Sequence, residues 1–108
     1  MEQGVDIFSA IADPTRRRII QMLAANDLMA GEVAVRVGSM SRPAVVKHLN
    51  ILRDAGIIFT ERRGRTRVNR LNVIALDEVA NWAAEIGGFW DGRLTALKDA
   101  VEADFKKD

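Results

Sequence analysis

The chain has 108 residues, 48% of them hydrophobic, with 16 Lys+Arg against 15 Asp+Glu, one His and no Cys, for a formal net charge of +1. That length fits one domain, which on folding buries roughly 65% of the surface its unfolded chain exposes and needs no disulfide or metal staple. The absent cysteines exclude a disulfide framework, thiolate metal ligation, a Cys nucleophile and a thiol redox switch.

At the N-terminus Glu2 and Asp6 stand where a signal peptide carries Lys or Arg. The uncharged run from Ile19 to Asn26 is far shorter than the ~20 apolar residues of a membrane helix. A cytoplasmic protein with no membrane partner is expected. Ile7, Phe8 and Ile11 recur at helical spacing and predict a short first helix. Asp13 then offers an N-cap and Pro14 a first helical residue, opening a second helix with Ile19, Ile20 and Leu23 as its buried stripe. Arg16, Arg17 and Arg18 in its first turns oppose the macrodipole unless they pair with acids or meet an anion, which points towards an anionic partner. A third helix is expected from Met29 through Val37, followed by a turn at Gly38-Ser39-Met40.

Ser41 can cap a fourth helix, with Pro43 in its first turn, running to about Ala55 before Gly56 ends it. Val45, Leu49 and Leu52 share its inner face. The opposite face carries Pro43, Val46, Lys47, Asn50 and Asp54, with Arg42 and Arg53 on one flank and His48 on the other. Ile57 to Glu61 and Thr66 to Leu71 are β-formers around Arg62-Arg63-Gly64-Arg65, which predicts a hairpin. From Ile74 onward Leu76, Val79, Trp82, Ala83 and Ile86 form an amphipathic stripe, which Trp90, Leu94, Leu97, Val101 and Phe105 continue. Gly87-Gly88 between them predicts a kink, a break or a close backbone contact. The second stripe is close to a coiled-coil seam and calls for a partner, most simply a second copy of the chain.

Charge is segregated along this order. Residues 1–73 hold a net +5 and residues 74–108 a net −4. From Arg36 to Arg70 nine bases, eight of them Arg, face only Asp54 and Glu61. Arginine is the side chain best suited to forked phosphate contacts. The hairpin arginines Arg62, Arg63, Arg65, Arg67 and Arg70 would repel one another in isolation, whereas beside a phosphate backbone the same density is attractive.

The segments Ala12-Asp13-Pro14-Thr15-Arg16-Arg17-Arg18-Ile19-Ile20, Gly31-Glu32-Val33-Ala34 and the run Ser41-Arg42-Pro43-Ala44-Val45-Val46-Lys47-His48-Leu49-Asn50-Ile51-Leu52-Arg53-Asp54-Ala55-Gly56 resemble the ArsR/SmtB family of bacterial repressors. Phe89-Trp90, Arg93-Leu94 and Leu97 resemble the C-terminal helix of a branch that lacks metal-ligand cysteines. The resemblance implies a mainly α winged helix-turn-helix with a small β-hairpin wing. Residues 1–108 would form one DNA-binding domain, with helix-turn-helix and wing in 1–73 and a C-terminal dimerisation helix or helix pair in 74–108. It implies a homodimeric repressor on a pseudo-palindromic operator, not responsive to metals or thiols, with the helix from Ser41 in the major groove.

Family contacts to double-stranded DNA would fall on Ser41, Arg42, Pro43, Val46 and Lys47. His48, Asn50, Arg63, Arg65 and Arg67 complete the candidate set by position and charge. The dimer interface would use Phe8, Trp82, Phe89, Trp90, Leu94, Leu97 and Val101. The chain departs from the pattern at Arg42, often Gln, at Val46, often Ser, and at Val68 and Asn69, where wings usually carry aromatics. Arg42 suits guanine O6 and N7, and Val46 a thymine methyl.

Other classes are poorly supplied. The adjacent acids Asp77 and Glu78 do not face one another on a helix, and no nucleophile or phosphate loop accompanies them, so no enzyme is expected. No metal or cofactor is expected either: His48 stands alone, and Asp91, Asp99, Glu102 and Asp104 read as a solvated helix face. Trp82, Phe89 and Trp90 around Gly87-Gly88 suggest interface core, or a pocket for an apolar small-molecule effector. The alternative function is a winged-helix module that sets its basic hairpin on an acidic protein instead of DNA.

Overall fold

A computed structural model describes residues 6–105, the side chains at 89–91, 94, 104 and 105 excepted. The order is α1 (Ile7–Ala10), α2 (Pro14–Ala25), α3 (Ala30–Val37), α4 (Arg42–Asp54), β1 (Ile58–Arg63), β2 (Thr66–Leu71), a 3-10 turn (Val73–Leu76) and α5 (Asp77–Phe105). The chain divides into two units, Met1–Leu76 and Asp77–Asp108.

Each short helix of the first unit starts on a side-chain acceptor. The Asp6 carboxylate takes the Ser9 N–H at 3.2 Å, Asp13 that of Arg16 at 3.0 Å, and Ser41 Oγ that of Ala44 at 3.3 Å. At α3 the acceptor reaches back, Glu32 taking the Met29 N–H at 2.8 Å. Pro14 and Pro43 sit in first turns, where a missing N–H leaves no bond unmade. α4 ends in a Schellman motif: Gly56 N–H donates to Arg53 O and Ile57 N–H to Leu52 O, both at 2.9 Å, with Gly56 at φ +78°.

The inward stripes meet as the spacing requires. Ile19 and Leu23 of α2, Val33 and Val37 of α3, and Val45, Leu49 and Leu52 of α4 are buried together with Ile57, Ile58 and Val68. β1 and β2 pair antiparallel from Ile58↔Leu71 to Arg63↔Thr66, leaving Gly64-Arg65 as the turn. Gly64 has φ +63° and Arg65 has no positive φ, the signature of a type II′ turn. Along its other side β2 bonds to the α2–α3 connection: Leu28 N–H donates to Asn69 O at 3.2 Å and Asn69 N–H to Leu28 O at 2.8 Å. Among the described residues β1 pairs with β2 alone, so its outer edge is open.

Two expectations change. Arg16, Arg17 and Arg18 answer to carbonyls at the ends of other helices. Arg16 Nε donates to Ala10 O at 2.6 Å, Arg17 Nη1 to Ile11 O and Ala12 O at 2.9 and 3.0 Å, and Arg18 Nη2 to Arg36 O at 3.1 Å. Cations at the C-terminal ends of α1 and α3 are favourable to those helices, so the repeated arginine is accounted for without an external anion. The second change is in α5, which runs unbroken through Gly87 and Gly88, with open space where a Cβ would stand at either. Ten helical residues before Gly87 and seventeen after Gly88 keep the ladder going where local propensity alone favours a break. Among the described residues no helix is long and apolar enough to cross a membrane.

Candidate nucleic-acid interface

α4, the hairpin and the start of α3 enclose an open groove of about 410 Å³. Arg42, Val46, Leu49, Asn50 and Arg53 line it from α4, Thr60, Arg65, Thr66, Arg67 and Asn69 from the hairpin, and Met29 and Ala30 from α3 and its cap. Arg42 crosses the first turn of α3, its Nη1 3.6 Å from where a Cβ of Gly31 would stand.

The hairpin sorts its arginines by face, as period-2 alternation requires. Thr60, Asn69, Arg62 and Arg67 occupy one face, opposed in the pairs Thr60↔Asn69 and Arg62↔Arg67. Glu61, Arg63 and Arg70 occupy the other and form a four-membered ion cluster with Asp27. Arg63 Nη2 lies 2.6 Å from Asp27 and its Nε 3.1 Å from Glu61, while Arg70 Nη1 lies 2.9 Å from Glu61. Arg70 Nε approaches Asp27 at 3.2 Å without hydrogen-bond alignment, and its guanidinium stands 5.6 Å from the centre of the Phe59 ring. Hydrogen bonds from Arg70 and then Arg63 hold the Glu61 carboxyl below the usual carboxylate range, and Asp27 and Glu61 raise the Arg63 guanidinium further. In contrast Arg42, Lys47, Arg65 and Arg67 are in no ion pair among the described residues.

Arg53 ties the two walls of the groove together. Its Nη1 donates to Asn50 Oδ1 at 2.6 Å, its Nε to Thr60 Oγ1 at 2.9 Å and its Nη2 to Asn69 Oδ1 at 3.4 Å. Asn69, 4% exposed, donates from Nδ2 to Leu28 O at 3.2 Å. On the far flank of α4, Arg16 Nη1 lies 3.3 Å from His48 Nδ1 and Asp13 lies 3.9 Å from the same nitrogen. A guanidinium only donates, so in a hydrogen bond between them His48 Nδ1 is the acceptor. Asp13 is held below its ordinary value, first by the Arg16 backbone N–H.

Of the candidates read from the sequence, the groove brings together Arg42, Val46, Asn50, Arg65 and Arg67. Ser41, Pro43 and Lys47 are exposed along the start of α4 but outside the groove lining. His48 lies at the Arg16 flank and Arg63 in the ion cluster. Sequence reasoning missed Thr60 and Asn69 as groove residues; a lone Asn between Val68 and Arg70 in a β-forming run was the available signal. On α5 Trp82, Leu97 and Val101 are exposed, and on α1 Phe8 is half-buried. The side chains of Phe89, Trp90 and Leu94, and with them most of the expected effector pocket, lie outside the described residues.

A model described as a helix-turn-helix domain matches residues 11–59. The transcriptional repressor SdpR of Bacillus subtilis is 39% identical over 71% of this chain and 84% of its own length. The regulator Rv2034 of Mycobacterium tuberculosis is 34% identical over 90% of this chain and 87% of its own. An ArsR-like transcriptional regulator from Rhodococcus sp. RHA1 superimposes with a TM-score of 0.67 at 35% identity, over 86% of this chain and 87% of that one. The chain belongs to the ArsR family of transcriptional regulators. It is accordingly a DNA-binding transcriptional regulator with a winged helix-turn-helix fold, a class that is not enzymatic. Within that ArsR framework α3 and α4 are the helix-turn-helix and the β1–β2 hairpin is the wing.

Proposed function

We propose that this ArsR-family regulator is a cytoplasmic homodimeric repressor that lays the N-terminal half of α4 in the major groove of a pseudo-palindromic operator. The observation that carries the reading is the groove itself. Arg42, Arg65 and Arg67 converge there with no acid among the described residues paired to them, while the hairpin cations Arg63 and Arg70 are already occupied. Arg42, Val46 and Asn50 supply base-edge chemistry; Ser41, Pro43 and Lys47, with Arg65 and Arg67 on the wing, meet the phosphates. His48 lies at the flank of the same helix. The exposed apolar side chains Leu97 and Val101 on α5, with Phe8 on α1, supply the contacts between copies. Two recognition helices then address half-sites about 34 Å apart. A chain without Cys, whose His48 accepts from Arg16, is poorly equipped to sense metals or thiols.

Selection of bound sequences from random DNA, followed by titration at several salt concentrations, tests this. An inverted repeat should emerge, and about six to eight neutralised phosphates per dimer should give a log K against log salt slope of about −5 to −7. A flat salt dependence with no enriched sequence would overturn it.

A further inference from the structure

Three of the five N–H donors of Arg53 are spent inside the protein, on the recognition helix and both strands of the wing. We propose that Arg53 is a positioning residue that fixes the wing against α4 and orients the Asn50 amide so that its Nδ2 leads towards DNA. This rests on the DNA-binding reading above and assigns roles within the same groove.

Because a guanidinium has no acceptor, the amide oxygen of Asn50 must face Arg53, and its Nδ2 is the end turned to any ligand. An adenine edge is read by Asn through both amide atoms at once, donor to N7 and acceptor from N6. With Oδ1 held against Arg53 at 2.6 Å, the amide is turned so that Nδ2 leads, which favours acceptors (a phosphate oxygen, a thymine O4, or a guanine O6 or N7) over the two-point adenine pair. The second consequence concerns the wing. Asn69 is fixed at both ends of its amide, Nδ2 on Leu28 O and Oδ1 on Arg53 and Thr60. Arg67 lies two residues along the same strand on the same face. The clamp on Asn69 therefore sets where the Arg67 stem leaves the sheet.

The test uses the full-length protein and the operator recovered by selection. Arg53→Met keeps the aliphatic stem and removes every donor. It should raise the operator Kd about tenfold, the scale of a lost charged hydrogen bond, and shift the selected base at one position in each half-site towards adenine as Asn50 is released. Arg67→Ala should weaken the unaltered protein about fivefold to tenfold and lower the salt slope by about one per bound Arg. In the Arg53→Met background it should change Kd by less than about twofold, the two sites then being coupled. A contribution to folding alone would weaken binding to all sequences equally, leaving base preference unmoved and the two substitutions additive; that result overturns the proposal. Thr60→Val removes one hydroxyl from the same cluster and should shift Kd in the same direction by less, which guards against a fold defect in Arg53→Met. In DNA-free protein the amide resonances of Gly64, Arg65 and Arg67 should move in Arg53→Met. Unmoved resonances would overturn the positioning role even if the unaltered protein bound no DNA, an outcome that by itself refutes only the repressor reading.

Discussion

Asp13 does two things with one carboxylate: it caps α2 through the Arg16 N–H and lies 3.9 Å from the His48 imidazole that Arg16 also contacts. Asp13→Ala should cost about 1 kcal/mol in urea denaturation at neutral pH, the usual worth of an N-cap. Asp13→Asn keeps an oxygen acceptor and should cost less. The folded carboxyl lies below its ordinary value, so its stabilisation is fully present above the unfolded carboxylate's range and disappears as pH falls through the folded value. Denaturation curves of Asp13→Asn should accordingly show a flatter acid limb than the unaltered protein; an identical limb would show that this carboxyl does not titrate with unfolding. Asp13, Pro14, Ser41 and Gly56 were legible because caps and stops are local chemistry. Arg18 was not: its acceptors on Arg36 and Val37 lie 18 and 19 residues away, and nothing in three consecutive arginines says which carbonyls they will meet.

Glycines separate two kinds of element. Gly64 occupies a type II′ position at φ +63°, where a Cβ is strained, so Gly64→Ala should destabilise the first unit by about 1–2 kcal/mol on thermal denaturation. Gly87 and Gly88 sit in an unbroken helix with room for a Cβ, so Gly87→Ala with Gly88→Ala should increase helical ellipticity and strengthen α5 by up to about 1 kcal/mol each. A loss of helix content in the double variant would mean that the pair is needed for something other than helix continuity. The hairpin was legible in outline, since alternation and a Gly-centred turn set its register. Its division of labour was not, because the sorting of Arg63 and Arg70 from Arg67 depends on Asp27, which the fold brings from the α2–α3 connection.

For the molecule as a whole, the net +1 conceals a basic first unit and an acidic second one, +5 and −4. Segment charges located the basic half of the chain, but only the groove tells which cations remain to be neutralised. Assembly is tested at the same scale. Leu97→Asp together with Val101→Asp should give monomers by light scattering and weaken operator binding by about 100-fold or more, because two linked half-sites bind with an effective concentration that a single one lacks. A dimer that persists would place the contact between copies elsewhere.

β1 leaves one edge of a two-stranded sheet open, and an open strand is a template on which another chain can grow. Along that strand Glu61 and Arg63 are bound to Asp27 and Arg70 in alternating sign, and Arg62 stands on the opposite face. An incoming strand would have to set its own side chains beside these charges, which a charged edge strand disfavours. The same charges that occupy Arg63 and Arg70 thus make the open edge of the wing a poor template for a second strand.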